Sequence, residues 1–187
     1  MRIISGKARG TKLYALEGEN TRPTLDRVKE SIFNIIQEKI EEAKILDLFS
    51  GSGAIGLEFL SRGAKSAILC DNSKEAVNII KKNIEKTHME KSAQVINTDF
   101  EKCLKKLTNQ QFDIIYLDPP YETDYILKSL KKIIELNIAK EESLIIIETD
   151  DAKRIETEIE NLDIEIVDKR KYGRATIIFL KLKNKDA

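Results

Sequence analysis

The chain has 187 residues, the size of one large domain, and 41% of it is hydrophobic, enough to bury a substantial core. Its 32 Lys and Arg cancel 32 Asp and Glu, and a net charge of zero, taken as an average, speaks against a nucleic-acid partner. Three prolines and eight glycines exclude collagen-like and low-complexity classes, and no apolar run approaches the ~18 residues of a membrane span.

Residues 1–10 are basic without an apolar signal core, and Cys70 and Cys103 are the only cysteines, so a soluble protein of the reducing cytoplasm is expected, without membrane contact. Residues 1–23 are rich in Gly, Lys and Arg, and the alternating stretch 12–16 reads as an arm or one strand of a hairpin. This is a small N-terminal extension to a main domain at 24–187. Thr24 is an N-cap candidate for a helix whose apolar positions Val28, Ile32, Phe33, Ile35, Ile36 and Ile40 recur mostly at three- and four-residue spacing.

From Lys44 onward, short apolar runs at 45–49, 67–70, 93–96, 112–117 and 144–147 alternate with helical patterns at 54–61, 73–86, 100–107, 124–136 and 152–161. Largely continuous apolar runs separated by helices read as a parallel sheet covered on both faces. The end differs, because 164–169 and 175–183 are joined directly through a turn at 172–174, which makes an antiparallel hairpin. The expected fold is α/β, a doubly wound, mostly parallel, Rossmann-like sheet ending in an antiparallel hairpin.

The first run leads into Asp47, Leu48, Phe49, Ser50, Gly51, Ser52, Gly53, Ala54, Ile55 and Gly56, after which a helix begins. Glycines there let the backbone turn sharply and let a ligand approach closely. Asp71 ends the second run, 20 residues after Gly51, where a carboxylate can accept from ribose hydroxyls. Strand, loop, helix and spaced acid together indicate a nucleoside-containing cofactor. The glycine spacing also fits a dinucleotide enzyme. Asp47 at the ligand edge of the sheet suits a cationic amino group and is a poor neighbour for a pyrophosphate. Asp99, after the third run, is placed to bond an adenine amino group or to cap the next helix.

The fourth run ends in Asp118, Pro119, Pro120 and Tyr121. Two prolines fix an extended backbone without N–H donors, so the Asp118 carboxylate and the Pro119 carbonyl can act as acceptors in one small space, with Tyr121 as a flat face beside them. This suits a planar group bearing an exocyclic amine, stacked on the tyrosine. His88, the sole histidine, reads as a solvated turn residue, Cys70 and Cys103 read as core, and nothing suggests a metal.

These motifs resemble the class I S-adenosylmethionine-dependent methyltransferases, in particular those with an Asp/Asn-Pro-Pro-aromatic motif that methylate exocyclic amines of nucleobases. RIISGKARG at 2–10, TRPTLDRVKESIFN at 21–34, DLFSGSGAIGLE at 47–58 and DPPY at 118–121 together are similar to the bacterial RsmD-type enzymes. The resemblance covers nearly the whole chain. It implies methylation of the N2 amino group of one guanine in 16S ribosomal RNA, with RNA or the small ribosomal subunit as partner, S-adenosylmethionine as cofactor and no metal. It implies that Ser50, Gly51, Ser52 and Gly53 pass beneath the methionine part of the cofactor, with Asp47 near its amino group and Asp71 on the ribose. Asp99 and Phe100 would border the adenine, and Arg22 and Thr24 would help bind the methionine end. Asp118, Pro119, Pro120 and Tyr121 would be the catalytic set.

Three other readings compete. A DNA adenine-N6 methyltransferase shares the Asp-Pro-Pro-Tyr chemistry, but 187 residues leave little for a domain that reads duplex sequence. A nicotinamide-dependent oxidoreductase leaves 118–121 unexplained, and an RNA-binding module without catalysis does not need the glycine loop. The charge pattern favours RNA once it is resolved along the chain. Residues 1–29 carry +4 and residues 165–187 carry +4, against −8 for 30–164, so neutrality averages a polarised chain. Lys7, Arg9, Lys12 and Arg174 are the expected phosphate contacts of a monomer.

Overall fold

A computed structural model of the protein describes residues 1–17 and 23–184, with the side chains of 23–25 outside the description. The elements follow the expected alternation. The first helix, α1 (Pro23–Ile35), ends a turn earlier than its apolar spacing suggests, and a short 3-10 turn (Gln37–Lys39) follows it. That turn keeps the hydrophobic face inward, since Ile36 and Ile40 are both buried on either side of it. Then come β1 (Lys44–Asp47), α2 (Ala54–Ser61), β2 (Ser66–Asp71), α3 (Lys74–Thr87), β3 (Ala93–Asn97) and α4 (Phe100–Lys106). The chain continues through β4 (Phe112–Leu117), α5 (Tyr125–Glu135), β5 (Ala139–Thr149), α6 (Ala152–Ile159), β6 (Ile164–Tyr172) and β7 (Ala175–Leu182).

The contacts divide the chain into two units, Met1–Asp99 and Phe100–Ala187. In the first, β1 pairs parallel with β2 (Ile45 opposite Ala67) and β2 parallel with β3 (Leu69 opposite Val95), giving the order β3-β2-β1. Ile45 and Leu46 of β1 and Ala67, Leu69 and Cys70 of β2 are almost wholly buried, which is why these strands read as unbroken apolar runs. In the second unit β4 pairs parallel with β5 (Ile115 opposite Ile145), and β7 runs antiparallel between β5 and β6, giving the order β4-β5-β7-β6. The expected closing hairpin is therefore present, turned through Gly173 at φ +61°.

Local chemistry sets the helix limits. Ser73 caps α3 by accepting from the Ala76 N–H (3.2 Å), and His88 ends it in the left-handed region at φ 56°, exposed as the sequence suggests. Both cysteines are buried. Among the described residues no helix is long and apolar enough to cross a membrane, and no group of three or more His, Cys, Asp or Glu is placed to hold a metal ion.

Candidate functional site

In the first unit the loop between β1 and α2 is held open by backbone geometry. Gly51 at φ 55° and Gly53 at φ 82° take left-handed conformations, and Gly53 is the residue from which α2 starts. The Gly53 N–H donates to the Ser50 carbonyl (2.7 Å), the Ser50 N–H to the Cys70 carbonyl (2.9 Å) and the Ser50 hydroxyl to the Asp47 carbonyl (2.8 Å). Gly56 meets a different demand: a Cβ there would lie 2.2 Å from Leu69 Cδ2, so any larger residue would have to displace the buried Leu69 side chain where α2 lies on β2.

Two carboxylates bracket this loop. Asp71 accepts from the Gly51 N–H through Oδ2 (2.9 Å) and from the Ser73 N–H through Oδ1 (2.9 Å), so it ties the loop to the start of α3. Each oxygen keeps a second lone pair, and the residue is only half-buried, as a ribose acceptor must be. Asp47 is 1% exposed. Its Oδ2 accepts from the Gly56 N–H (3.3 Å), and its Oδ1 is buried with no hydrogen-bond partner among the described residues. Burial, reinforced by the nearby Asp71 charge, raises its pKa to about 7, and the Gly56 N–H opposes the rise. A buried acceptor without a donor is costly unless a ligand supplies one.

Asp99 is half-buried between β3 and the first residue of α4. Phe100, 8% exposed, packs its ring 4.9 Å from that of Tyr125. Arg22 lies outside the described residues, as does the side chain of Thr24.

The expected arm is not a free tail. Arg2 and Lys12 form an antiparallel bridge, with Ile3 N–H donating to the Thr11 carbonyl (3.0 Å) and Gly10 N–H to the Ile3 carbonyl (2.8 Å). Ile3 and Leu13 point inward, and Lys7, Arg9 and Lys12 are exposed. Glu58 of α2, 0% exposed, receives the N–H groups of Ile4 (2.9 Å) and Ser5 (3.0 Å) and ion-pairs with Lys29 (3.2 Å) and Arg62 (2.8 Å). Gly6 at φ +86° lies so close to α2 that a Cβ would fall 1.8 Å from the Ser61 carbonyl oxygen. The arm thus rests on the helix that the glycine loop starts.

In the second unit, Asp118 to Tyr121 follow β4 directly. Asp118 and Pro120 are exposed, Pro119 is buried, and Tyr121 is 52% exposed, so a large aromatic face is held open to solvent. The turn is braced by the Thr123 hydroxyl, which donates to the Pro120 carbonyl (2.8 Å). Pro119, Pro120 and Tyr121 line a cleft together with Glu148, Asp150 and Arg154. Partial burial and the negative charges of Glu148, Asp118 and Asp150 raise the Tyr121 hydroxyl above its ordinary pKa, which keeps it neutral. Glu148 accepts from the Tyr116 hydroxyl (2.9 Å), and burial pushes its carboxyl up. Arg154 donates to the Thr123 carbonyl (2.7 Å) and pairs with Glu158 (2.7 Å), fixing one wall.

The sequence reading missed Glu148, Asp150 and Arg154. The available signal was position, since Glu148 sits near the carboxyl end of a parallel strand, where open α/β sheets bind ligands. Arg174 is exposed in the β6–β7 turn.

The family model described as "Conserved hypothetical protein 95" matches residues 1–181. The chain is 39% identical over 159 residues to "Ribosomal RNA small subunit methyltransferase D" of Haemophilus influenzae, covering 84% of this chain and 82% of that one. To the protein of the same name in Escherichia coli K12 it is 33% identical, covering 80% of this chain and 75% of the relative. The solved structure of yhhF from Escherichia coli is 26% identical and covers 99% of each chain with a TM-score of 0.83.

Proposed function

Because the chain belongs to the family described as Conserved hypothetical protein 95, which its first 181 residues match, we propose that it transfers a methyl group from S-adenosylmethionine to the exocyclic N2 amine of a guanine in small-subunit ribosomal RNA. Two relatives named as small-subunit ribosomal RNA methyltransferases support the RNA class. We further place it in the cytoplasm as a monomer, with 16S ribosomal RNA or the small subunit as partner.

The observation that carries the cofactor is Asp47 Oδ1, buried beneath a glycine-shaped loop with no donor among the described residues. An α-amino cation meets the need of that oxygen, and a pyrophosphate does not. Ser50, Gly51, Ser52 and Gly53 would line the methionine part, Asp71 the ribose, and Asp99 and Phe100 the adenine, with Arg22 and Thr24 at the methionine end. When bound, the cofactor supplies an electrophilic sulfonium methyl.

The protein's own groups handle the amine. An exocyclic amine shares its lone pair with the ring and is a weak nucleophile. Acceptors at the Asp118 carboxylate and the Pro119 carbonyl hold its hydrogens so that the lone pair projects out of the ring plane, and Tyr121 stacks on the base. With the methyl donor held in line with the amine, solvent-exposed Asp118 would accept the one amine hydrogen that is lost as a proton when the nitrogen gains the methyl. Aligned acceptors around the nitrogen also stabilise the positive charge that develops there. The neighbouring Glu148 and Asp150 add to this field.

A labelled-methyl assay tests the reading. S-adenosylmethionine carrying a labelled methyl is incubated with small subunits, and separately with naked ribosomal RNA, from cells lacking the protein. Nucleoside analysis is expected to give N2-methylguanosine. Labelled N6-methyladenosine, or no labelled nucleoside from either substrate, would overturn it.

A further inference from the structure

We propose that Tyr14 and Lys86 form a docking site for one unpaired nucleotide of the RNA, held in register with the glycine loop by Asn83; this rests on the RNA-methylation reading above. Tyr14 is 49% exposed, while Leu13 beside it is buried, so the ring is turned outward from an otherwise docked arm. Its backbone is clamped by one side chain. Asn83 of α3, 0% exposed, accepts from the Tyr14 N–H (2.8 Å) and donates to the Tyr14 carbonyl (2.9 Å). The same amide donates to the carbonyl of Ser52 in the glycine loop (2.9 Å), so all three contacts converge on one buried residue.

The surroundings of the ring select the ligand class. Lys86 Nζ lies 4.5 Å from the Tyr14 ring centroid. Lys82 is exposed one helical turn earlier on α3, and Lys12 is exposed two residues before Tyr14. None of these three lysines forms an ion pair among the described residues. A π face with one cation against it, and exposed lysines close by on the same two segments, matches a base with its phosphates, the combination by which single strands are held. A rigid backbone beneath the ring lowers the entropy lost on binding. Asn83 gives the site a second property: a strand docked on Tyr14 and a cofactor docked on the loop bear on the same buried amide.

The test measures binding of a short, unstructured, fluorescently labelled RNA separately from methylation, for wild type, Tyr14→Ala, Tyr14→Phe, Lys86→Gln and Asn83→Ala. S-adenosylmethionine affinity is followed in parallel. Tyr14→Ala is expected to weaken RNA binding about 5- to 150-fold, the range of one lost stack, with cofactor affinity unchanged. Tyr14→Phe should stay within about twofold, and Lys86→Gln should lower the salt slope by roughly one. Asn83→Ala should weaken both ligands. Wild-type RNA affinity in Tyr14→Ala, or loss confined to Lys86→Gln, would overturn the stacking site in favour of a purely charged surface. Should Tyr14→Ala also lose cofactor binding, Tyr14→Leu, which keeps apolar bulk without a π face, is judged on the same criterion. RNA binding by wild type without methylation would instead remove the functional reading and leave the site standing.

Discussion

Asp47 and Gly56 are joined by a single hydrogen bond, from the Gly56 N–H to Asp47 Oδ2 (3.3 Å), and this contact leaves Oδ1 buried and without a donor among the described residues. The carboxyl consequently titrates at about 7 rather than 3.8, with burial the main cause. Between pH 4 and 7 the folded protein keeps this proton and the unfolded chain has lost it, so stability from this group is present at low pH and declines as pH rises toward 7. A shift of this size corresponds to roughly 4 kcal/mol at most. Asp47→Asn is expected to flatten that decline in cofactor-free protein, measured by urea unfolding at several pH values.

The proposed cofactor contact gives the same group a second expected signature. An amino cation placed on Asp47 favours the carboxylate, so binding below pH 7 should release a proton and binding above pH 8 should not. Calorimetry in buffers of different ionisation enthalpy counts that proton directly. Asp47→Asn should abolish the release and weaken S-adenosylmethionine binding by about 30-fold or more, the cost of truncating one partner of a buried charge pair. Pyridine dinucleotide binding in place of S-adenosylmethionine would sink the assignment.

Glu58 fixes the arm at the expense of burying charge. It has no exposed surface and serves Ile4, Ser5, Lys29 and Arg62 at once. Glu58→Ala leaves Lys29, itself 7% exposed, without its counter-ion. The expected loss is about 3–5 kcal/mol of stability. Hydrogen exchange at the Ile4 and Ser5 amides should accelerate ahead of global unfolding; unchanged protection there would show that Glu58 does not hold the arm.

How far the sequence discloses this site depends on the kind of signal each part sends. β4 and the Asp-Pro-Pro-Tyr turn were readable because an apolar run stops abruptly at residues with strong backbone preferences. The glycine loop was readable for the same reason. Glu58 and Asn83 were not, because the arm backbone groups they hold lie 53 to 69 positions away and α2 is buried from Gly56 to Ser61, which erases the contrast that periodicity needs. The start of β5 was hidden too. Residues Lys140, Glu141 and Glu142 are exposed and charged, and the strand is extended to Ala139 partly by Ser143, whose hydroxyl donates to the Phe112 carbonyl (2.6 Å) and accepts from the Lys140 N–H (2.9 Å).

In the proposed mechanism Asp118 holds the amine, and its exposure at the end of β4 separates that role from stability. Asp118→Ala should lower methyl transfer by at least about 100-fold, in keeping with the loss of an aligned acceptor, while S-adenosylmethionine affinity and unfolding midpoint stay close to wild type. Asp118→Asn keeps a carbonyl acceptor and should retain part of the activity. Full turnover in the alanine variant would remove the residue from the mechanism.

The arm carries exposed Lys7, Arg9 and Lys12 on a backbone anchored to α2 through Glu58 and Ser61. A tail would move with its counterions, but an anchored arm holds its cations at fixed places, where each phosphate neutralised releases a counterion. Reversing all three charges to Glu should therefore weaken RNA binding and reduce the slope of log K against log salt by about 2–3, with cofactor affinity unaffected. The same reversal at Arg174, exposed in the β6–β7 turn, tests the other basic end. A slope that changes only for the arm variant would confine phosphate contact to the first unit, and a slope unchanged in both would remove these residues from the interface.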